Sequence, residues 1–333
     1  MNERFNELER YWYSRNPIAT ALWPLGLLFG GLVTLRRQLY GWGLLKSQRV
    51  GVPVIVVGNI TVGGTGKTPL VIYLVELLRK AGYRPGIISR GYGGTSDNWP
   101  RFVTGDSDPV EVGDEPVLLA QRCRCPILVD PDRVTAARAL LSQHDCDVIV
   151  ADDGLQHYRL ARDIEIAVID GQRRFGNGAC LPAGPLREPV SRLRGVDFVV
   201  GNGSAQVGEY LMTLTGERAI NLKDPMVTCH ISHFRHELMR AIAGIGHPQR
   251  FFDYLRGHSL RIVETTFPDH HQYTAADLDF KDALPVLMTE KDAVKCRAWA
   301  KDWHWYLPVT AQLDALLEQQ LLARLSRVSS SHA

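Results

Sequence analysis

The sequence predicts an α/β fold: a mostly parallel sheet flanked by helices, a second, smaller α/β unit, and an apolar helix at the N-terminal end. Three observations predict it. Residues 54–81 pass from an apolar, β-branched strand (Val54-Ile55-Val56-Val57) through a loop holding Gly58, Gly63, Gly64 and Gly66 into an amphipathic helix. Strands then alternate with helices along the rest of the chain, the pattern of parallel sheets joined by crossovers. Residues 18–35 carry no charge at all.

The stretch 54–81 has the order a phosphate cradle needs. Gly63, Gly64, Thr65 and Gly66 let the backbone turn its N–H groups inward, and the following helix N-terminus adds positive potential. Lys67 is placed to reach the β- and γ-phosphates of ATP, and the Thr68 hydroxyl to ligate Mg²⁺. A strict Walker A motif has glycine at position 61, where this chain has Thr61. Pro69 falls in the first helical turn, where its missing N–H costs little.

Composition narrows the class. With 333 residues the chain has room for two full cores. A net charge of +2 is unlike a nucleic-acid-binding arm, so no nucleic-acid partner is expected. The six cysteines form no C-x-x-C pair, which reads as free thiols rather than a zinc ribbon or disulfide framework.

Toward the N-terminus, residues 18–35 would span ~27 Å as a helix, just short of a bilayer's hydrocarbon core. Two membrane placements fit, one crossing the bilayer and one resting on it; a buried core helix is the bland alternative. The interfacial placement is favoured by Trp12, Tyr13, Trp23, Tyr40 and Trp42, with Arg10, Arg15, Arg36, Arg37, Lys46 and Arg49 available to anionic headgroups. The late start of the run argues against a signal peptide.

Past the glycine loop, Gly86-Ile87-Ile88-Ser89 is a strand ending at Arg90-Gly91-Tyr92-Gly93-Gly94, where α/β sheets bind ligands. Gly113-Asp114-Glu115-Pro116 opens a helix, and from spacing alone Asp114 suits an N-cap as well as a catalytic role. Residues 126–129 form a strand and 132–144 a helix. Residues 147–152 then form a strand ending in Asp152-Asp153-Gly154, the form of a Walker B element whose carboxylates hold Mg²⁺ beside the phosphate loop. Residues 164–170 are a further strand. The proline-stiffened loop 181–189 includes Arg187 and Glu188. From about residue 221 a second α/β unit begins. Its Gly244-Ile245-Gly246 turn lacks a third glycine, so NAD is not expected, and its loop Phe267-Pro268-Asp269-His270-His271 offers a histidine for pairing with a carboxylate.

Taken together, these stretches resemble one family, the tetraacyldisaccharide 4'-kinases (lipid A 4'-kinases), over nearly the whole chain. The motifs that carry the resemblance are the glycine loop through Pro69, Ser89-Arg90-Gly91-Tyr92-Gly93, Gly113-Asp114-Glu115-Pro116, Asp152-Asp153-Gly154-Leu155-Gln156-His157, residues 181–189, Phe267 to His271, and Thr289-Glu290-Lys291-Asp292. The family shares the imperfect Walker A; Leu155 stands where it often has Phe. The resemblance implies ATP-dependent phosphorylation of the 4'-hydroxyl of an acylated disaccharide 1-phosphate, giving the lipid A precursor of lipopolysaccharide at the cytoplasmic face of the bacterial inner membrane. It implies Lys67 and Thr68 at the phosphates and Mg²⁺, Asp152 and Asp153 at the metal, Asp114 as catalytic base with His270 as its partner, and Arg90, Tyr92, Arg187 and Glu188 near phosphates and substrate. The expected domains are a membrane-associated segment 1–46, a P-loop kinase domain 47–220 and a smaller domain 221–333. The same P-loop would also serve a switch ATPase or GTPase gating a partner, or a membrane-tethered interaction protein with a structural nucleotide. Thr289-Glu290-Lys291-Asp292 has the wrong spacing for a guanine signature.

Overall fold

The computed structural model describes residues 11–14, 16–282 and 284–332. Its first sheet contains β1 (Val54–Gly58), β2 (Pro85–Ser89), β3 (Arg101–Phe102), β4 (Ile127–Val129), β5 (Val148–Asp152), β6 (Ile164–Asp170), β7 (Phe198–Asn202), β8 (Tyr210–Thr215) and, far downstream, β15 (Thr310–Leu313). Their spatial order is β15-β8-β7-β6-β1-β5-β2-β4-β3. The seven strands from β8 to β4 pair in parallel, and β3 and β15 close the edges antiparallel.

Because β1 is central, both of its faces are covered, and its unbroken apolar run follows from that. Ile55 and Val57 pack into a core formed with helix α2 (Lys67–Lys80), helix α4 (Asp114–Arg122) and helix α8 (Ala315–His332). Val54 and Val56 face the opposite core with α5 (Arg133–Gln143). A short helix, α3 (Pro109–Val112), precedes α4.

The second sheet contains β9 (Arg218–Asn221), β10 (Thr228–His230), β11 (Leu238–Ala243), β12 (Arg261–Thr266), β13 (Val286–Thr289) and β14 (His304–Leu307), in the order β10-β9-β14-β13-β11-β12. Helix α6 (Pro248–Gly257) packs on one face through Phe252 and Leu255, and α7 (Glu290–Cys296) on the other through Ala293 and Cys296. The expected division at residue 221 carried everything after it into the smaller unit. Instead the chain leaves the second sheet at Leu307 and re-enters the first, where β15 pairs with β8 and Leu317, Leu321 and Leu325 of α8 join the first core. No strand was expected at β8 to β10; β9 and β10 are short with few apolar residues, whereas β8 carries Tyr210, Leu211, Met212 and Leu214.

Helix α1 (Pro17–Gly41) is started by Asn16, whose side chain accepts from the Ala19 N–H at 2.8 Å. It meets the rest of the chain through Gly26 and Gly30, where a Cβ would lie 2.7 Å from the Cys180 carbonyl oxygen and 3.0 Å from Cys180 Sγ. Ile18, Trp23, Leu25, Leu27, Leu28, Leu32 and Leu35 are left exposed, together with Trp42 and Leu44 beyond it. Among the described residues this is the one helix long and apolar enough to cross a membrane. Trp12, expected at a lipid interface, is instead buried, with its indole N–H donating to the Pro182 carbonyl at 3.0 Å. Arg10 and Arg15 lie outside the described residues.

Leu321 is fully buried in a core shared by the first and last parts of the chain. Leu321→Ala should therefore destabilise the protein by about 2–5 kcal/mol in denaturant unfolding, as large-to-small changes in packed cores do.

Candidate active site

The loop after β1 is shaped by its glycines. Gly66 caps α2 with φ +95°, a conformation glycine adopts without strain, and a Cβ there would collide with the Asn202 side chain. The Asn202 amide donates to the Thr65 carbonyl at 3.0 Å, tying the loop to the end of β7. No side chain caps α2, so its first-turn amides are left facing a ligand rather than a residue. The loop forms one wall of a cleft between the two sheets. Lys67 and Thr68 line that cleft, with Glu115 from the first sheet's side and Gly246, His247 and Lys291 from the second.

Register brings the acidic pair to the same place. Val57 lies opposite Asp152 across the parallel β1–β5 ladder. Asp152 is buried; one oxygen accepts from Ser89 Oγ at 3.3 Å and the other has no hydrogen-bond partner. Burial, aided by Glu115 and Asp153, pushes its carboxyl up to about 7. Asp153 follows in a left-handed backbone conformation, φ 48°, which is uncommon for a non-glycine residue. It pairs with Lys67 Nζ at 3.6 Å and Arg187 Nη1 at 2.9 Å. Burial would raise this carboxyl, but the two cations hold it well below the usual carboxylate range. Lys67 Nζ also donates to Asn59 Oδ1 at 3.4 Å.

In a second cavity, joined to the cleft by Glu115 and Lys291, Asp114 meets His270. The His270 Nδ1 atom lies 3.1 and 3.2 Å from the two Asp114 oxygens, although the residues are 156 positions apart. Gly113 allows the turn that delivers Asp114: its φ is +93°, and a Cβ would sit 2.6 Å from the Tyr92 carbonyl oxygen. His270 also has a left-handed backbone, φ 59°, so strained residues stand on both sides of the cleft. Burial alone would raise the Asp114 carboxyl; Lys291, His270 and Lys295 outweigh it and hold the group well below its ordinary range. Burial opposes charge on His270, yet its bond to Asp114 raises the imidazole above its ordinary value. Tyr92 stands edge-on to His270 at 5.1 Å, and Arg90, two residues earlier, is exposed within electrostatic reach of Arg133 and His157.

The candidate substrate residues in loop 181–189 divide. Arg187 reaches the cleft side through Asp153. Glu188 is buried, its oxygens taken by Tyr158 at 2.5 Å and Gln156 at 2.9 Å, with Arg192 at 3.5 Å. These partners tie its carboxylate to the protein one residue after Arg187. Sequence reasoning gave no role to Asn59, Ser89 and Lys291, although all three stand in noted motifs, and passed over Asn202, a polar residue at a strand end without a motif.

The residues present fit a nucleotide and a divalent cation. The uncapped helix start suits phosphates, and the unpartnered Asp152 oxygen sits at a strand end beside Lys67. Among the described residues no cluster of three or more His, Cys, Asp or Glu side chains could cage a metal alone. A pair of carboxylates plus a threonine hydroxyl, completed by phosphate oxygens, is how Mg²⁺ is usually held.

Comparison with known proteins bears on this geometry. Residues 18–326 match a family model described as tetraacyldisaccharide-1-P 4'-kinase. A protein of Nitrosococcus oceani named tetraacyldisaccharide 4'-kinase is 52% identical over 329 residues, covering 99% of this chain and 97% of that one. Its counterpart from Pseudoalteromonas atlantica is 53% identical over 307 residues, 92% of this chain and 99% of that one. Among solved structures, LpxK from Aquifex aeolicus in complex with ATP superimposes with a TM-score of 0.76 at 28% identity, covering 92% of this chain and 99% of that one.

The Asp114–His270 pair makes a pH prediction. Because the folded imidazole titrates above its unfolded value, the pair's stabilisation is full below the unfolded pKa of about 6.5 and is lost as pH rises through the folded one. Thermal midpoints of His270→Gln should lie below wild type at pH 6, with the gap narrowing toward pH 9. A gap that widens with pH would contradict the ion pair.

Proposed function

The chain belongs to the tetraacyldisaccharide-1-P 4'-kinase family, and we propose that its cleft carries out that family's reaction through the residues just described. The reaction is ATP-dependent phosphorylation of the 4'-hydroxyl of an acylated disaccharide 1-phosphate. The observation that carries this reading is the pairing of Asp114 with His270 directly beside Glu115 and Lys291, which line the cleft wall with Lys67 and Thr68. A switch nucleotidase has no need for a base on that wall.

In this reading the amides of residues 63–68 and the Lys67 ammonium bind the phosphates of ATP. Thr68, Asp152 and Asp153 would hold Mg²⁺, which supplies charge neutralisation on the transferring phosphoryl group. Its binding would favour ionised Asp152, which burial otherwise keeps near neutral. Lys67 and Arg187 share Asp153 before ligand arrives; phosphates entering the cleft offer both cations new partners. Asp114 accepts the hydroxyl proton, and His270 orients its carboxylate and stabilises the charge. Tyr92, exposed and edge-on to His270, and the exposed Arg90 two residues before it are suited to contact the sugar and its substituents. The deep, partly apolar portion of the cleft, lined by Ile72, Leu118, Phe251 and Leu307, is suited to a nucleoside base.

An acylated acceptor stays in a bilayer, and the exposed apolar face of α1 offers the means to work there. Arg36 and Arg37 follow that face and suit anionic headgroups. We assign the chain to the cytoplasmic face of the inner membrane, with α1 resting at the interface and docked through Gly26 and Gly30.

The direct test is incubation with Mg-ATP and the acylated disaccharide 1-phosphate, with detection of a newly phosphorylated lipid; phosphate release without lipid product would refute the reading. In that assay Asp114→Ala should lower kcat by ~10²–10⁴ while nucleotide binding survives, the usual loss for a general base. Replacing Leu27, Leu28 and Leu32 together by aspartate should move the protein from sedimenting liposomes to the supernatant without unfolding it. Retention on liposomes would locate the anchor elsewhere.

A further inference from the structure

Two lysines on α7 have no role in the reading above. Lys291 and Lys295 are four residues apart, so they share one face of the helix. The Lys291 ammonium lies 3.1 Å from Glu115 Oε1, 3.1 Å from Asp269 Oδ1 and 3.9 Å from Asp114 Oδ2. The Lys295 ammonium lies 3.7 Å from the same Asp114 Oδ2 and 3.4 Å from Asp292 Oδ1, and it sits 5.1 Å over the Tyr273 ring. Lys295 is nine-tenths buried, and its nitrogen makes no hydrogen bond. The two face different spaces. Lys291 lines the cleft with Lys67 and Thr68, whereas Lys295 lines a second cavity with Tyr92, Asp114, His270 and Trp299.

We propose that Lys291 and Lys295 are positioning residues for the phosphoryl transfer, clamping Asp114 through two ammonium groups that lie 3.9 and 3.7 Å from its Oδ2. The proposal rests on Asp114 being the base.

The local charge count explains why a clamp is needed. Asp114, Glu115, Asp269 and Asp292 bring four carboxylates close together, and His270 beside them carries charge only while protonated. A carboxylate as buried as Asp114 would take up a proton under those conditions and cease to be a base. The two ammonium groups place positive charge beside Asp114 that does not depend on the state of His270. Lys291 has a further effect. By joining Glu115 of the first sheet's helix α4 to Asp269 of the second unit, it fixes the two walls that carry Asp114 and His270.

The test measures kcat, and KM for Mg-ATP, from pH 5 to pH 10 for Lys291→Met, Lys295→Met, the two corresponding arginine variants and Asp114→Asn. Each methionine variant should lose about 10- to 100-fold in kcat near neutrality, as is typical when a supporting partner of a reacting group is removed. Each should also move the acid limb of the kcat profile to higher pH, because Asp114 loses a neighbouring cation. Lys295→Met should leave KM for Mg-ATP unchanged, since Lys295 does not line that cleft. The arginine variants should keep the wild-type acid limb. Methionine variants that are folded by circular dichroism and retain the wild-type limb would overturn the clamp, even where their thermal stability falls. If Lys295→Met does not fold, Lys291→Met, at the more open cleft wall, decides the matter by the same limb. Wild-type kcat in Asp114→Asn would instead overturn the base, and the clamp with it; loss of activity there with unmoved limbs in both lysine variants would overturn the clamp alone.

Discussion

The parallel pairing of β1 with β5 is the constraint on which the site depends. With Val57 opposite Asp152, the strand that launches the glycine loop and the strand that ends in acid finish level with one another. A shift of one residue would turn Asp152 to the other face of the sheet and remove it from Lys67. The register is held because both strands are fully buried and every side chain of β1 belongs to one of two cores.

From that frame, environment gives two neighbouring aspartates opposite characters. Asp152 is enclosed, has one oxygen without a partner, and holds a proton readily. Asp153 is turned by its left-handed backbone toward Lys67 and Arg187 and gives its proton up. The same contrast recurs across the cleft, where Asp114 is as buried as Asp152 yet remains ionised because cations surround it. Burial therefore does not decide the state of these carboxyl groups by itself; the number and nature of nearby cations does.

Much of this was legible in the sequence. The glycine loop, the acidic strand end and the helix opened by Asp114 each combine local pattern with spacing, and each stands where the pattern put it. Membership of the family joined Asp114 to His270, a contact between residues 156 positions apart that no local pattern reveals. Three features stayed hidden for physical reasons. Trp12 resembles a lipid-interface residue until its indole is seen bonded to Pro182. Glu188 looks like a ligand-binding acid in a stiff loop, but Gln156 and Tyr158 already occupy it. The final helix carries an apolar face, and nothing in that face says which of two cores it will fill.

The return of β15 and α8 to the first sheet bears on how the molecule is made. Residues 218–307 form an excursion whose two ends lie together, with Gly216 packed against the Pro308 carbonyl oxygen. On the ribosome the phosphate-loop half emerges before residues 310–325, so β8 waits for its edge partner, and the core around Leu70 and Leu74 for Leu317, Leu321 and Leu325, until that segment has emerged. Completion of the nucleotide-binding half is thereby deferred until the second unit has been made, and a message that stops short of Thr310 would leave that half with an open strand edge and an uncovered apolar face.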